Sequence, residues 1–301
     1  MTEDQKPKHQ AYGVPTLLEG TPNFVGLYER LEELRTRVAS GRLAGIRTGI
    51  SVIDEKMGGL QNGLHILAAE PAAGKTTFAL QLALESAKDG GAAIYFAFDE
   101  NADRLAMKLA SIVAGAIPSE IMSGRGDLDS VRLAVETNRA MLDRIRIYGE
   151  SVIDPSHLES LLQEIKEILD TNEVLVVVDF LQSLAGRLSK AKGMDYRIAV
   201  NDLVGQLRDI SKNNAVPILA ITAQNRQGQG DAKMTSLRES SDLEYGADSI
   251  LFLSIEESQK TFPKRIVELT CVKNRYGELF KTDLEFYAAK SQFRVKSGSF
   301  K

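Results

Sequence analysis

Leu64-His65-Ile66-Leu67-Ala68-Ala69-Glu70-Pro71-Ala72-Ala73-Gly74-Lys75-Thr76-Thr77 is the stretch that decides the fold. A short apolar strand runs into a turn of small residues, and Gly-Lys-Thr-Thr then opens an amphipathic helical run from Phe78 to Ala87. This order is typical of a phosphate-binding loop, in which backbone N–H groups and a helix N-terminus surround a polyphosphate. The match is incomplete, because Ala69 stands where such loops usually carry their first glycine. The alternative is a chance Gly-Lys-Thr in a surface turn.

The same loop predicts which residues would bind a nucleoside triphosphate and its metal ion. Lys75 would reach the β- and γ-phosphates, and the hydroxyl of Thr76 would hold Mg²⁺. The residues predicted to bind the nucleotide are Ala72, Ala73, Gly74, Lys75, Thr76 and Thr77. The expected cofactors are therefore ATP or another NTP, together with Mg²⁺.

The composition is that of an ordinary globular chain, with 301 residues, 43% hydrophobic and 26% charged. It has no apolar run long enough to span a membrane and no apolar core of a signal peptide near Met1, so we expect no membrane partner and a cytoplasmic location. The formal net charge of -4 argues against a generally basic nucleic-acid coat, although a basic channel on an acidic body remains open. The single cysteine, Cys271, lies in an apolar alternation that predicts a buried strand position rather than catalysis.

From Thr48 onward, short apolar strands alternate with helical runs, which predicts right-handed crossovers and a mainly parallel sheet covered by helices on both faces. The predicted strands are 64–69, 92–98, 144–148, 173–179, 216–222, 248–254, 265–273, 281–287 and 292–296. The predicted helices are 75–88, 102–114, 127–143, 155–169 and 196–212. Because the last three strands follow one another without helices, the sheet should end in antiparallel hairpins. The predicted fold class is α/β.

Residues 1–42 are predicted to form a flexible arm and a helix, ahead of one α/β domain at 43–301. Thr21 and Pro22 offer an N-cap and a first-turn proline for a helix at 22–40. That helix carries a narrow apolar seam at Phe24, Leu27, Leu31, Leu34 and Val38. Such a seam packs either on its own domain or on a neighbouring subunit, and the sequence leaves both open.

Acidic residues follow two predicted strands at the edge of the sheet where the phosphate loop lies. Asp99 and Glu100 come at the end of one strand, where either could orient an attacking water as general base. The alternative is a solvated pair that caps the next helix. Asp179 ends a fully apolar strand of the kind found in the middle of parallel sheets, and an Asp there typically holds Mg²⁺. It would complete the metal site begun by Thr76.

Two glycine-containing, locally basic stretches at 186–193 and 227–233 follow strands at the same edge and are predicted to be flexible loops. They are either solvated loops or contacts to the backbone of a nucleic-acid strand. The candidate nucleic-acid-binding residues are Arg187, Lys190, Lys192, Arg226 and Lys233. Apart from Tyr196 at one edge, neither stretch has an aromatic residue for base stacking, so sequence-specific readout is not expected.

Lys273 and Arg275 lie in a predicted hairpin at 272–277. Because they are two residues apart in an extended segment, both side chains should point to the same side. They could supply positive charge to the transition state of phosphoryl transfer, as arginine fingers do. Hairpin cations are otherwise usually just solvated.

Together these motifs resemble the motor domain of DnaB-type replicative helicases in the RecA-like ATPase superfamily. The family's phosphate loop also tends to lack its first glycine, and Asp179-Phe180-Leu181-Gln182 resembles its magnesium-binding strand end. The most specific match is Leu237-Arg238-Glu239-Ser240, followed by Leu243-Glu244 and Ala247-Asp248, because no general rule of nucleotide binding requires it. Lys273-Asn274-Arg275-Tyr276-Gly277 resembles the family's trans-acting lysine and arginine finger.

The resemblance covers residues 48 to about 293 and implies a hexameric ATP-driven helicase or translocase that moves along single-stranded DNA. One subunit would supply Lys75, Thr76, Thr77, the Asp99/Glu100 acid and Asp179, and the next would supply Lys273 and Arg275. The stretches at 186–193 and 227–235 would face the central channel and track the DNA backbone. The helix at 22–40 resembles the linker helix that grips an adjacent subunit.

Departures from the family pattern leave alternatives open. Asp99 stands where the family usually has a catalytic Glu, with Glu100 one residue late, and Gln224 matches the sensor glutamine only after a one-residue shift from Ala223. An acidic pair also resembles KaiC-like ATPases, so an oligomeric switch, recombination mediator or scaffold without unwinding is the alternative function. Residues 1–20 have no counterpart of the domain that helps to recruit primase, so binding of a primase or loader stays open and a phage or plasmid helicase fits better.

Overall fold

The computed structural model describes residues 26–149, 155–223, 240–256, 258 and 263–296. The chain divides into two compact units, residues 1–42 and 43–301. In the first unit, helix α1 (Leu27–Ala39) follows Gly26, whose backbone is extended. The helix therefore begins later than predicted, and the proposed start at Thr21 and Pro22 lies outside the described residues.

Helix α1 has an exposed apolar seam. Leu27, Leu31 and Val38 keep 78%, 55% and 63% of their accessible surface, and no residue of the helix is buried. Its polar face carries an ion pair between Arg30 and Glu33 at 3.0 Å, three residues apart, which adds only a few tenths of a kcal/mol to the helix. An apolar seam of this kind usually gains its stability by packing against another element.

In the second unit, all the strands of the described residues belong to one sheet. Its strands are β1 (Gly63–Ala69), β2 (Ala92–Ala97), β3 (Ile145–Gly149), β4 (Val174–Asp179), β5 (Pro217–Ala223), β6 (Ser249–Ile255), β7 (Lys264–Asn274), β8 (Phe280–Tyr287) and β9 (Gln292–Val295). The spatial order is β3-β2-β4-β5-β1-β6-β7-β8-β9. Strands β1 to β6 pair in parallel, whereas β7, β8 and β9 are added as antiparallel neighbours.

Helices cover both faces of this sheet. They are α2 (Ser51–Met57), α3 (Lys75–Lys88), α4 (Ala102–Ala114), α5 (Pro118–Met122), α6 (Leu128–Thr137), α7 (Arg139–Leu142), α8 (Pro155–Ile168), α9 (Leu181–Lys192), α10 (Tyr196–Asn214) and α11 (Ser240–Gly246). Along β1, Leu67 and Ala69 face the core built with α3, while Ile66 and Ala68 face the core built with α8, α9 and α10. The described helices include none that is both long and apolar enough to cross a membrane.

The structure confirms the predicted α/β class, the antiparallel C-terminal hairpins and all nine predicted strands, each within one residue at either end. Cys271 is 2% exposed on β7, as its apolar alternation predicts. The single helix predicted at 127–143 is wrong, because Asn138 has non-helical φ and ψ and separates α6 from α7. The short helices α2, α5 and α11 were not predicted, since each offers two turns or less of periodicity.

The flexible loop predicted at 186–193 is also wrong, because this segment is the second half of α9. Four residues with helical spacing are buried on one side of α9: Leu181, Leu184, Ala185 and Leu188. Gly186 faces open space, where a glycine in a helix costs about 1 kcal/mol relative to alanine without stopping the helix. The helix ends instead at Gly193, which takes the left-handed conformation that favours glycine as a C-cap.

Candidate active site

The turn between β1 and α3 has the geometry of a phosphate-binding loop. It is closed by a hydrogen bond from the backbone N–H of Ala73 to the carbonyl oxygen of Glu70, at 3.2 Å. Ala72 and Gly74 both have positive φ, at 66° and 90°. At Gly74, an added Cβ would stand 2.8 Å from the ring of Phe293, so both the conformation and the close approach require glycine. The helix then begins at Lys75 with its free N–H groups facing the turn.

The structure explains why the first glycine of the loop is dispensable. Ala69 is the last residue of β1, pairs with Ala223 and Leu253, and lies fully buried in the core. An extended, buried position suits alanine as well as glycine. The left-handed backbone that the turn needs falls three residues later, at Ala72.

The two residues predicted to hold the metal are in direct contact. The hydroxyl of Thr76 donates a hydrogen bond to Oδ2 of Asp179 at 2.9 Å, and Asp179 is 4% exposed at the end of β4. A second hydroxyl, that of Tyr95 on β2, donates to the same carboxylate oxygen at 2.6 Å. Because a threonine hydroxyl that donates its proton keeps its lone pairs, Thr76 can still act as an oxygen ligand.

The charge environment of Asp179 fits a cation. Burial raises the pKa of Asp179, hydrogen bonds from Tyr95 and Thr76 and the charge of Lys75 lower it, and the charge of Asp99 raises it. Hydroxyl and carboxylate oxygens are the ligands that Mg²⁺ prefers, usually through one or two carboxylates together with the phosphates of a substrate. Thr76 and Asp179 therefore suit Mg²⁺ bound with a nucleotide.

Asp99 and Glu100 lie just beyond the end of β2, on the side of the sheet edge that holds Asp179. Asp99 is exposed, and Glu100 is half-buried with the Nε of Arg104 at 4.0 Å. Either carboxylate is therefore available to a water near the site. The exposed position of Asp99 is also compatible with a solvated carboxylate, but neither acid caps α4, because its N-cap is Asn101, whose side chain accepts from the backbone N–H of Asp103.

Lys108 is a residue of this site that the motifs did not reveal. Burial lowers the pKa of Lys108, while the charges of Glu100 and Asp179 oppose that shift. Its ammonium group is therefore a half-buried positive charge, carried by α4, that interacts with both carboxylates. The signal in the sequence is weak: Arg104 and Lys108 are four residues apart on one side of α4, but Glu100 precedes that helix.

The chain that leads to Asp99 is fixed on two sides. The backbone N–H of Phe98 donates to the carbonyl oxygen of Asp179 at 2.6 Å. Arg187, on α9, donates to the carbonyl oxygen of Phe98 at 3.0 Å, and its guanidinium lies 5.5 Å from the centre of the Phe98 ring. Arg187, predicted as a nucleic-acid contact, is thus bound within its own subunit.

Other candidate nucleic-acid contacts have different surroundings. Lys190 and Lys192 are exposed near the C-terminal end of α9, where the helix dipole stabilises positive charge. Nζ of Lys192 lies 3.7 Å from Oδ2 of Asp202. Gln224, Arg226, Lys233 and Leu237–Glu239 lie outside the described residues. The structure therefore bears on α9 and leaves the second basic stretch as a prediction.

Lys273 and Arg275 lie together at the end of β7, on the same side as predicted. Nη1 of Arg275 forms an ion pair with Oδ1 of Asp248 at 2.9 Å, and Nζ of Lys273 donates to the carbonyl oxygen of Glu244. The other oxygen of Asp248 accepts from the backbone N–H of Leu64 at 2.9 Å. Asp248, from the most family-specific motif, thus ties the hairpin to the start of β1.

This hairpin lies at the amino ends of the parallel strands, which is the edge of the sheet opposite to the phosphate loop. Asp248 and Leu64 are hydrogen-bonded at the amino end of β1, whereas the phosphate loop leaves the carboxyl end after Ala69. About 17 Å of strand separates Leu64 from Ala69, which is more than an arginine side chain can span. Arg275 therefore cannot reach a phosphate bound at Lys75 of its own chain.

Comparisons with solved structures show which fold this chain has. One solved ATPase domain has the same fold, with a TM-score of 0.77 at 20% identity, over 91% of this chain and 100% of that chain. A structure of a DnaB-like replicative helicase, described with its interactions with primase, gives a TM-score of 0.73 at 20% identity, over 90% of this chain and 67% of that chain. At these identities the similarity shows the fold.

Sequence comparison identifies the family. The replicative DNA helicase DnaC of Bacillus subtilis is 27% identical over 280 residues, which are 90% of this chain and 60% of that protein. The chain spans about 60% of the length of such bacterial relatives. The model of the DnaB-like helicase C-terminal domain matches residues 45–295. The chain therefore belongs to the DnaB-like helicase C-terminal domain family.

Proposed function

We propose that this chain is the motor of a ring-shaped, ATP-driven DNA helicase, which hydrolyses NTP between subunits, moves along single-stranded DNA and unwinds duplex DNA in replication. The observation that carries the proposal is the position of Arg275 at the sheet edge opposite to the phosphate loop. If Arg275 acts as the family's finger, it can serve only a nucleotide that is bound by a neighbouring subunit. As a hexamer acting on chromosomal or plasmid DNA, the protein would work in the cytoplasm.

One subunit would bind the nucleotide with the residues of its phosphate loop. The backbone from Ala72 to Thr77 would surround the phosphates, and Lys75 would neutralise the β- and γ-phosphates. Thr76 and Asp179 would hold Mg²⁺, which, when bound, offsets the negative charge of the phosphates. The hydrogen bond from the Thr76 hydroxyl to the Asp179 carboxylate supports the metal-binding role of these two residues.

Hydrolysis would use residues from two subunits. Asp99 or Glu100 would accept a proton from the attacking water, and Lys108 would add a positive charge beside Glu100 and Asp179. The neighbouring subunit would bring Arg275 and Lys273 to the γ-phosphate, where positive charge stabilises the transition state. Gln224 would sense the γ-phosphate and relay its loss toward the DNA-binding stretch.

DNA would be bound through phosphate contacts at the end of α9 and in the stretch at 227–235. In α9 the exposed cations are Lys190 and Lys192, and beyond β5 the candidate cations are Arg226 and Lys233. Contacts to phosphates carry no sequence information, which suits an enzyme that must move along any sequence.

Reversing the charge at Lys190, Lys192 and Lys233 should abolish the stimulation of NTP hydrolysis by single-stranded DNA and spare basal hydrolysis. The reason is that these cations would bind the DNA backbone and take no part in the chemistry. The measurement is the rate of phosphate release with and without oligonucleotide, at several salt concentrations, together with opening of a forked duplex.

The double variant Arg132→Glu/Arg139→Glu is a control for the two changes on α9, which are Lys190→Glu and Lys192→Glu. It makes the same change in net charge at two exposed arginines on α6 and α7, each paired with an acidic residue four positions further on. If wild-type turnover ignores single strands and no forked duplex is opened, the helicase proposal is wrong. An oligomeric ATPase that acts as a switch or scaffold would then be favoured.

The apolar seam of α1 supports a role for this helix in binding a neighbouring subunit. Removing residues 1–42 should weaken assembly, because it deletes the exposed stripe of leucine and valine that would pack against a neighbouring subunit. The measurement is the mass of the particle in solution, with and without nucleotide. Removal of residues 1–25 alone is the matched control, since α1 begins at Leu27. An unchanged ring without residues 1–42 would assign the helix to its own domain.

A further inference from the structure

Tyr95 is a phenol in the middle of a buried parallel strand. It lies on β2, pairs with Val177 of β4 and has 0% of its surface exposed. Its ring belongs to the core on the α3 side of the sheet, which is built mainly from aliphatic and phenylalanine side chains. A fully buried hydroxyl in such a core needs a hydrogen-bond partner, because an unpaired buried polar group is destabilising.

The partner of the Tyr95 hydroxyl is the carboxylate of Asp179. The O–H donates to Oδ2 at 2.6 Å, the short distance typical of a hydrogen bond to a charged oxygen. The hydroxyl of Thr76 donates to the same oxygen at 2.9 Å. One carboxylate oxygen is therefore held by two donors, one from β2 and one from the first turn of α3.

The chemistry of this pair favours a permanent donor. Of the two groups, the phenol has the proton to give, because an ionised carboxylate can only accept a hydrogen bond. Its O–H is therefore directed at Oδ2 of Asp179. A carboxylate whose Oδ2 accepts both hydroxyl protons cannot rotate freely, so the lone pairs of its other oxygen, Oδ1, keep one direction.

We propose that Tyr95 is a positioning residue for the metal site, which holds the Asp179 carboxylate in the orientation that a divalent cation needs. The proposal deepens the proposed function and rests on it, because it assumes that Thr76 and Asp179 hold Mg²⁺ with the nucleotide. Hydrogen-bond partners behind a metal ligand commonly change metal affinity or activity about 10- to 100-fold when they are removed, so the phenol is expected to matter.

A packing role alone would be met by the ring without its hydroxyl. Phenylalanine has the same ring and would fill the same space, so Tyr95→Phe separates the hydrogen bond from the packing. Tyr148→Phe is the matched control, because Tyr148 lies on the neighbouring strand β3 and stacks on Phe96 with ring centres 5.6 Å apart. It loses the same atom without touching Asp179.

The experiment measures Mn²⁺ binding to the 301-residue chain saturated with ADP, by the loss of the electron paramagnetic resonance signal of free Mn²⁺. Tyr95→Phe should weaken Mn²⁺ binding by about 10-fold or more. Affinity for ADP in EDTA should stay unchanged, because the hydroxyl does not reach the phosphates. Tyr148→Phe should match the wild type in both measurements, and thermal unfolding in EDTA checks that both variants are folded.

Two results would overturn the inference while leaving the proposed function intact. One is an unchanged Mn²⁺ affinity in Tyr95→Phe. The other is an equal loss of Mn²⁺ and metal-free ADP binding, which would indicate general damage to the loop. A wild-type chain that binds ADP but takes up no Mn²⁺ with it would overturn the metal site itself, and the proposed function with it.

Discussion

Replacing Arg275 with alanine should lower NTP turnover by about 10³-fold or more and leave nucleotide affinity nearly intact. The reason is that the guanidinium would meet the γ-phosphate mainly in the transition state, and from a neighbouring subunit. Steady-state turnover and equilibrium binding of a labelled nucleotide measure the two quantities separately. Arg132→Ala, at an exposed arginine on α6 outside the hairpin, is the control.

Loss of Arg275 also removes an ion pair from Asp248, so the variant needs a check of folding. Mixing supplies a sharper test. Subunits with Arg275→Ala keep Lys75, and subunits with Lys75→Ala keep Arg275, so a mixture contains some interfaces with both residues. Turnover should reappear in the mixture although each variant alone is inactive. A mixture as inactive as its components would contradict the shared site.

Replacing Lys75 with alanine should remove most of the affinity for the triphosphate. A hydrogen bond to a charged group contributes about 1.5–3 kcal/mol, so we expect roughly 10- to 100-fold weaker binding of ATP. The loss should be much smaller for the nucleoside, which has no phosphate for Lys75 to contact. Isothermal titration with ATP and with adenosine measures both.

Lys88→Ala is the matched control for this variant. Lys88 lies at the far end of the same helix, α3, and pairs with Glu85 at 2.6 Å. It removes an equal charge from α3 without approaching the loop. Unchanged ATP affinity in Lys75→Ala would mean that the turn at Ala69–Thr77 does not bind phosphate, and the site would have to be sought elsewhere.

Local pattern was enough to predict the sheet. Each strand is a short apolar run ended by turn residues, and burial on both faces made runs such as 173–179 unambiguous. The contact between Thr76 and Asp179 could also be expected, since both follow parallel strands at one edge. Helix α9 was missed because Gly186 and the basic residues are typical of a loop, although Leu181, Leu184 and Leu188 have helical spacing.

Other features could not be derived from local pattern, because they depend on pairs far apart in the chain. Nothing near Tyr95 in the sequence indicates that its hydroxyl would meet Asp179, and nothing near Arg275 indicates a bond to Asp248. Strand β7 is antiparallel to β6, and β6 is parallel to β1, so the hairpin after β7 lies at the edge away from Lys75. The pairing of β6 with β1 is not specified by sequence pattern alone.

The separation of Arg275 from Lys75 across the sheet has a consequence for counting active sites. A chain that offers Arg275 at one edge and binds nucleotide at the other would be a head-to-tail unit. In an open row of such units, the receptor at one end and the donor at the other end are both idle, so there is one site fewer than there are subunits. Closing the row into a ring brings the idle donor and the idle receptor together and forms one more complete site. Turnover per subunit would therefore report whether the assembly is open or closed, independently of its mass.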